Sequence, residues 1–175
     1  VTDPDGLTIN KNQNDILGAV YSEVDLDGDG NLDDQVIIPQ KKIGDYLITV
    51  VPEAGASSSD TYNLEVTISG QTITLARDAQ ISNIPTGGYI LRSTENEIEQ
   101  IIPATITFDP QTLNLKSKGE AVTAYIELPA GYIPSEIDIS SIKLNGIVPA
   151  LARPTSIGDC NKNGISDLMV KFDRK

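Results

Sequence analysis

A chain of 175 residues with 39% hydrophobic content can bury a core as one large β domain or two small ones, and no apolar run approaches the ~20 residues that span a bilayer. With no His, no Trp and a single Cys, Cys160, the chain excludes internal disulfides, zinc held by His or Cys, and Ser-His-Asp or Cys-His catalysis. The formal charge of −12 is concentrated, because residues 1–99 hold 17 Asp and Glu against 5 Lys and Arg whereas residues 100–175 hold 8 of each. An acidic surface without a basic stripe argues against nucleic acid and favours cations.

The chain opens at Val1-Thr2-Asp3-Pro4 with no signal-peptide pattern, as a mature or excised segment would. Residues 15–22 give a thin helical pattern, and strands are expected at 35–38 and 46–51. The Gly- and Ser-rich stretch 55–60 reads as a hairpin tip. Tyr62, Leu64, Val66 and Ile68 then alternate onto one side of a strand, and Ser69-Gly70 turns it into a second strand at 71–75. After a strand at 88–92, the polar stretch 93–99 lacks alternation and coincides with the change in charge balance. It is the expected boundary between domains 1–97 and 100–175, the alternative being an exposed loop within a single sandwich.

Beyond it, strands are expected at 104–108, 122–128, 142–144 and 168–172, with one helical turn over 135–139 after Pro134. Short strands separated by Gly, Pro, Asn and Ser clusters predict an all-β chain, two β-sandwich domains in tandem.

Two Asp-rich loops interrupt the strand pattern. In residues 25–33, Asp25, Asp27, Asp29 and Asp33 stand at relative positions 1, 3, 5 and 9; Gly30 at position 6 permits a sharp turn and Asn31 at position 7 supplies a backbone carbonyl. Side chains so spaced fold onto one centre, and hard oxygen ligands in a flexible cage select Ca²⁺ over the stricter octahedron of Mg²⁺. Five carboxylates within ten positions, Asp34 included, repel one another until a cation neutralises them. Asp3 and Asp5 are further candidates for that region.

Residues 159–167 repeat the spacing with Asp159, Asn161, Asn163, the Ile165 carbonyl and Asp167, and Gly164 in register with Gly30. Having two loop carboxylates, this site is expected to bind more weakly. The alternative for each loop is a solvated Asx turn without an ion. Cys160 is expected to point away from the ion as a free thiol, an intermolecular disulfide being the other reading.

Position 12 is Val36 or Val170 and both loops run on into strands, so neither is a full EF-hand. Over about nine residues each, the loops resemble those of integrin α-subunit propeller repeats, thrombospondin calcium repeats and the first half of a dockerin loop. More widely, residues 25–66 resemble Ig-like β-sandwich modules of prokaryotic secreted and cell-surface proteins. Residues 104–174, with 113–119 and 168–174 as their most similar parts, resemble a companion module whose usual continuation is missing here. That resemblance implies Ig-like sandwiches, an extracellular location, and a non-enzymatic structural or adhesive role with protein partners, self-association through missing strands included.

Other readings stay open. An accessory module for carbohydrate or another ligand is weakened by the lack of Trp, although Tyr21, Tyr46, Tyr62, Tyr89, Tyr125 and Tyr132 could stack on sugars. A small subunit offering an exposed sheet edge to a partner is a third. No two carboxylates are fixed at a glycosidase separation, and no phosphate loop occurs.

Overall fold

The computed structural model describes residues 1–112, 116 and 119–174, which form antiparallel β-structure with three short 3-10 turns and no α-helix among the described residues. No helix among them is long and apolar enough to cross a membrane. The chain divides into two compact units, Val1–Ile102 and Pro103–Lys175.

The first unit contains β1 (Ile9–Asn10), β2 (Gln13–Asn14), β3 (Val20–Val24), β4 (Asp33–Ile37), β5 (Gly44–Ile48), β6 (Thr61–Ile68), β7 (Gln71–Gln80), β8 (Tyr89–Ser93) and β9 (Ile98–Ile101). Strands β5, β8 and β9 make a three-stranded sheet in that order, and β1–β2, β3–β4 and β6–β7 are hairpins. Tyr46 and Ile48 of β5 are buried opposite Leu91 and Tyr89 of β8. A separate apolar cluster of Ile9, Ile16 and Ala19 lies under Val1, Tyr21, Val36 and Ile38. In the β6–β7 turn, Ser69 and Gly70 both take positive φ, 53° and 81°, the backbone that matches the twist of a two-residue hairpin.

Several local expectations give way. Residues 15–22 form no helix: Gly18 has φ 75°, the Asn14 side chain donates to the Ala19 carbonyl at 2.8 Å, and β3 starts at Val20. Strand β5 ends at Ile48, short of position 51. The stretch 55–60 is no hairpin tip, because it joins β5 to β6, which pair with β8 and β7 instead. Gly and Ser mark a turn without saying which strands it connects.

Residues 93–99 comprise the end of β8, a turn and the start of β9. Thr94 N–H donates to the Glu97 carbonyl and Glu97 N–H to the Thr94 hydroxyl, both at 2.9 Å, and Ile98 is buried. The division between units falls after Ile102 rather than within this stretch.

In the second unit β10 (Thr105–Asp109), β11 (Ala121–Glu127), β12 (Lys143–Leu144), β13 (Val148–Pro149), β14 (Ser156–Gly158) and β15 (Asp167–Asp173) follow. The main sheet runs β10-β11-β15-β14, and β12–β13 is a small hairpin. Register pairs Val122 with Phe172, Ala124 with Val170 and Ile126 with Leu168, so the alternation in both strands places apolar side chains on one shared face. Phe108, Ile137, Ile139, Ile142, Leu144, Val148 and Ala150 pack on that cluster. The turn expected over 135–139 is two 3-10 turns, Pro134–Glu136 and Ile139–Ser141, the second capped by the Asp138 carboxylate accepting from Ser140 N–H at 2.9 Å. Leu113, Asn114, Leu115, Ser117 and Lys118, within the 113–119 part of the resemblance, lie outside the described residues.

Candidate metal centres

Both Asp-rich loops connect adjacent antiparallel strands, and both close in the same register. Loop 25–33 joins β3 to β4 with Val24 opposite Asp33, and loop 159–167 joins β14 to β15 with Gly158 opposite Asp167. The residue before position 1 thus pairs with position 9 in each, and the position 9 carboxylate opens the returning strand.

The internal hydrogen bonds repeat as well. The position 1 carboxylate accepts from the position 6 glycine N–H at 3.1 Å in both loops, Asp25 from Gly30 and Asp159 from Gly164. Position 3 accepts from the N–H of position 5 at 3.1 Å in both, Asp27 from Asp29 and Asn161 from Asn163. Position 5 accepts from position 7, at 2.7 Å in Asp29–Asn31 and 2.9 Å in Asn163–Ile165. Position 9 accepts from position 2, at 2.9 Å in Asp33–Leu26 and 3.1 Å in Asp167–Cys160. Successive Asx turns of this kind need left-handed backbone where the chain doubles back. Gly30 and Gly164 supply it at φ 90° and 91°, and Gly28 and Lys162, both at position 4, at 81° and 65°.

The consequence for the first loop is a convergence of charge. One oxygen each from Asp25, Asp27 and Asp29 lies within 4.8 Å of the others, and all three residues are exposed. A calcium ion holds its oxygens at ~2.4 Å, so two ligands of one ion stand no more than ~4.8 Å apart. The Asn31 backbone N–H, followed by its side-chain amide, holds the Asp29 carboxyl below its ordinary range by donating to the charged form. That keeps it an anion.

Three further expectations can be placed. Asp3 and Asp5 are bound elsewhere, since Lys42 Nζ pairs with both at 2.5 and 2.7 Å. Asp34 is engaged outside the loop, accepting from the Tyr21 hydroxyl, and this bond raises the phenol. Cys160 is a free, half-buried thiol whose Sγ lies 3.4 Å from the Ser156 hydroxyl oxygen.

Of the tyrosines, Tyr46 and Tyr89 are core residues, and the Tyr89 hydroxyl is bonded to that of Tyr62 at 2.5 Å. Burial, followed by that bond, raises the Tyr89 phenol.

One acidic residue of the second loop's surroundings was missed by sequence reasoning. Glu127, the last residue of β11, is buried, and its Oε1 accepts from the side-chain amides of both Asn161 and Asn163 at 2.6 Å each. In the sequence it is one polar position of an alternating strand, indistinguishable from a solvent-facing one. Only the β11–β15 register, which seats it opposite Asp167, brings it to the loop. Comparison of the chain with protein-family models, with curated proteins and with solved structures finds no match.

Proposed function

We propose that the chain is a non-enzymatic, calcium-binding structural or adhesive module of a secreted or cell-surface assembly, made of two Ig-like β-sandwiches in tandem. The observation that carries the calcium reading is the shared hydrogen-bond register of two loops in different parts of the chain, each with oxygen side chains at positions 1, 3, 5 and 9. Backbone N–H groups hold the side-chain oxygens of both loops in place, and the lone pairs these bonds do not use suit a hard cation. The antiparallel pairing and the apolar face shared by β11 and β15 support the sandwich reading.

Calcium at both loops clamps a hairpin connection and so rigidifies the module. An ion that binds only the native state adds RT ln(1 + [L]/Kd), about 2.7 kcal/mol at 100 Kd. Millimolar extracellular calcium fills even weak sites of this type, which is why an exported assembly with protein partners suits the chemistry. Isothermal titration of calcium into the chelator-treated chain, with Asp27→Ala and Asn161→Ala variants, tests it. Two binding events are expected, each variant losing one. An absence of binding heat in the parent chain overturns the reading.

A further inference from the structure

The sequence contains two Asn-Gly steps, Asn145-Gly146 and Asn163-Gly164. In such a step the glycine nitrogen can attack the preceding side-chain amide, because glycine has no Cβ to obstruct the approach. The reaction requires the glycine nitrogen and the asparagine Cγ to be free to meet. In the second Asp-rich loop both are held. Gly164 N–H donates to Asp159 at 3.1 Å, and the Asn163 amide is fixed at both ends, Nδ2 donating to Glu127 at 2.6 Å and Oδ1 accepting from Ile165 N–H at 2.9 Å. Turning Asn163 Cγ toward Gly164 N therefore breaks three hydrogen bonds, one of them to a buried carboxylate.

Asn145 and Gly146 stand instead at the tip of the β12–β13 hairpin, both exposed, with φ 51° and 70°. One hydrogen bond closes the turn, Ile147 N–H donating to the Leu144 carbonyl at 3.1 Å, and each flanking strand has only two residues. Among the described residues neither the Asn145 amide nor the Gly146 N–H has a hydrogen-bond partner. The space where a Gly146 side chain would stand is empty to 4 Å. A turn so lightly tied opens at little cost.

We propose that Asn145 is a site of spontaneous covalent modification, the conversion of asparagine to aspartate and isoaspartate, and that the fold protects Asn163 from the same reaction. Gly146 N attacks Asn145 Cγ, the new C–N bond closes a succinimide, and the Cγ–Nδ2 bond breaks. Ammonia leaves, carrying the proton that Gly146 N–H gave up. Water then opens either C–N bond of the imide, which places a carboxylate on the side chain in aspartate or on the former backbone carbonyl in isoaspartate. Nothing is oxidised or reduced, and water is the sole co-reactant. Either product adds a negative charge at the turn. Isoaspartate also inserts a methylene into the backbone between Leu144 and Val148, which both pack on the core of the second unit. The inference is independent of the calcium reading.

The test incubates the full chain in calcium-containing buffer at mildly alkaline pH, folded and in denaturant. Peptide mapping by mass spectrometry, which separates asparagine, aspartate and isoaspartate, follows residues 145 and 163. In the folded chain Asn145 is expected to convert at least about tenfold faster than Asn163, whose reaction waits on opening of its loop, and in denaturant the two rates are expected to converge. If Asn145 of the folded chain stays unchanged over the time in which the denatured chain converts, or converts under neither condition, the proposal is overturned. Equal rates at the two residues in the folded chain overturn the protection of Asn163.

Discussion

Lys162 and Gly28 occupy the same loop position, yet only one of them has a side chain to accommodate at positive φ. A non-glycine residue in the left-handed region costs roughly 1–2 kcal/mol, partly offset by the greater freedom glycine has in the unfolded chain. Lys162→Gly is therefore expected to stabilise the second unit by up to about 1 kcal/mol, read from the denaturant midpoint, whereas Gly164→Ala should cost about that much. Asp3 gives a second prediction. Its burial favours the neutral acid, but the Lys42 ammonium and the backbone N–H groups of Leu7 and Asp5 outweigh this and lower its pKa. A carboxyl lowered on folding stabilises the protein above its unfolded pKa, ~3.9, and ceases to do so as the pH falls through the folded value. Asp3→Asn should accordingly lower the melting temperature by a few degrees at pH 7, with the gap to the parent closing as the pH approaches 3. Loop side chains were legible because ligand spacing is local. Asp3 and Glu127 were not, because their partners are set by chain crossings that the spacing of residues along the chain does not encode.

Among the elements, the pairing of β11 with β15 holds the second unit together. Leu168, Val170 and Phe172 are almost wholly buried against Ala124 and Ile126. Leu168→Ala is expected to destabilise this unit by about 2–5 kcal/mol in chemical denaturation, the range for truncating a buried leucine. The strict alternation of such strands made them readable, since one face of each is buried along its length. Strands β1, β2, β13 and β14 span two or three residues each, too few to show any period. The crossover from β5 to β6 escaped for another reason. Glycine and serine give the chain freedom to turn, while the partner of β5 is chosen by the burial of Tyr46 and Ile48 against β8.

Across the molecule, charge and exposure separate the two loops. The excess of acid lies in the first unit, where Asp25, Asp27 and Asp29 of the loop are exposed; the second loop belongs to the neutral part of the chain and has Asp167, with Glu127 beside it, out of water. Exposed charges are screened over ~10 Å at 0.1 M salt, and buried ones far less. Raising ionic strength from about 0.02 to about 0.5 M should therefore weaken calcium binding to the first loop much more than to the second, measured by calorimetry on the Asn161→Ala and Asp27→Ala chains respectively. The asymmetry itself was legible as charge counts; which carboxylates are buried was not.

Strand β15 pairs with β11 along all seven residues, but among the described residues its other edge is covered by only the three residues of β14 and a single bridge to Ala150. β14 is tied to that edge through loop 159–166. A chain whose loop has lost its order would bare most of a long, apolar strand edge, and bare edges template the pairing of one molecule with the next. On the calcium reading proposed above, chelated protein should therefore scatter light on gentle heating well before the calcium-loaded protein does.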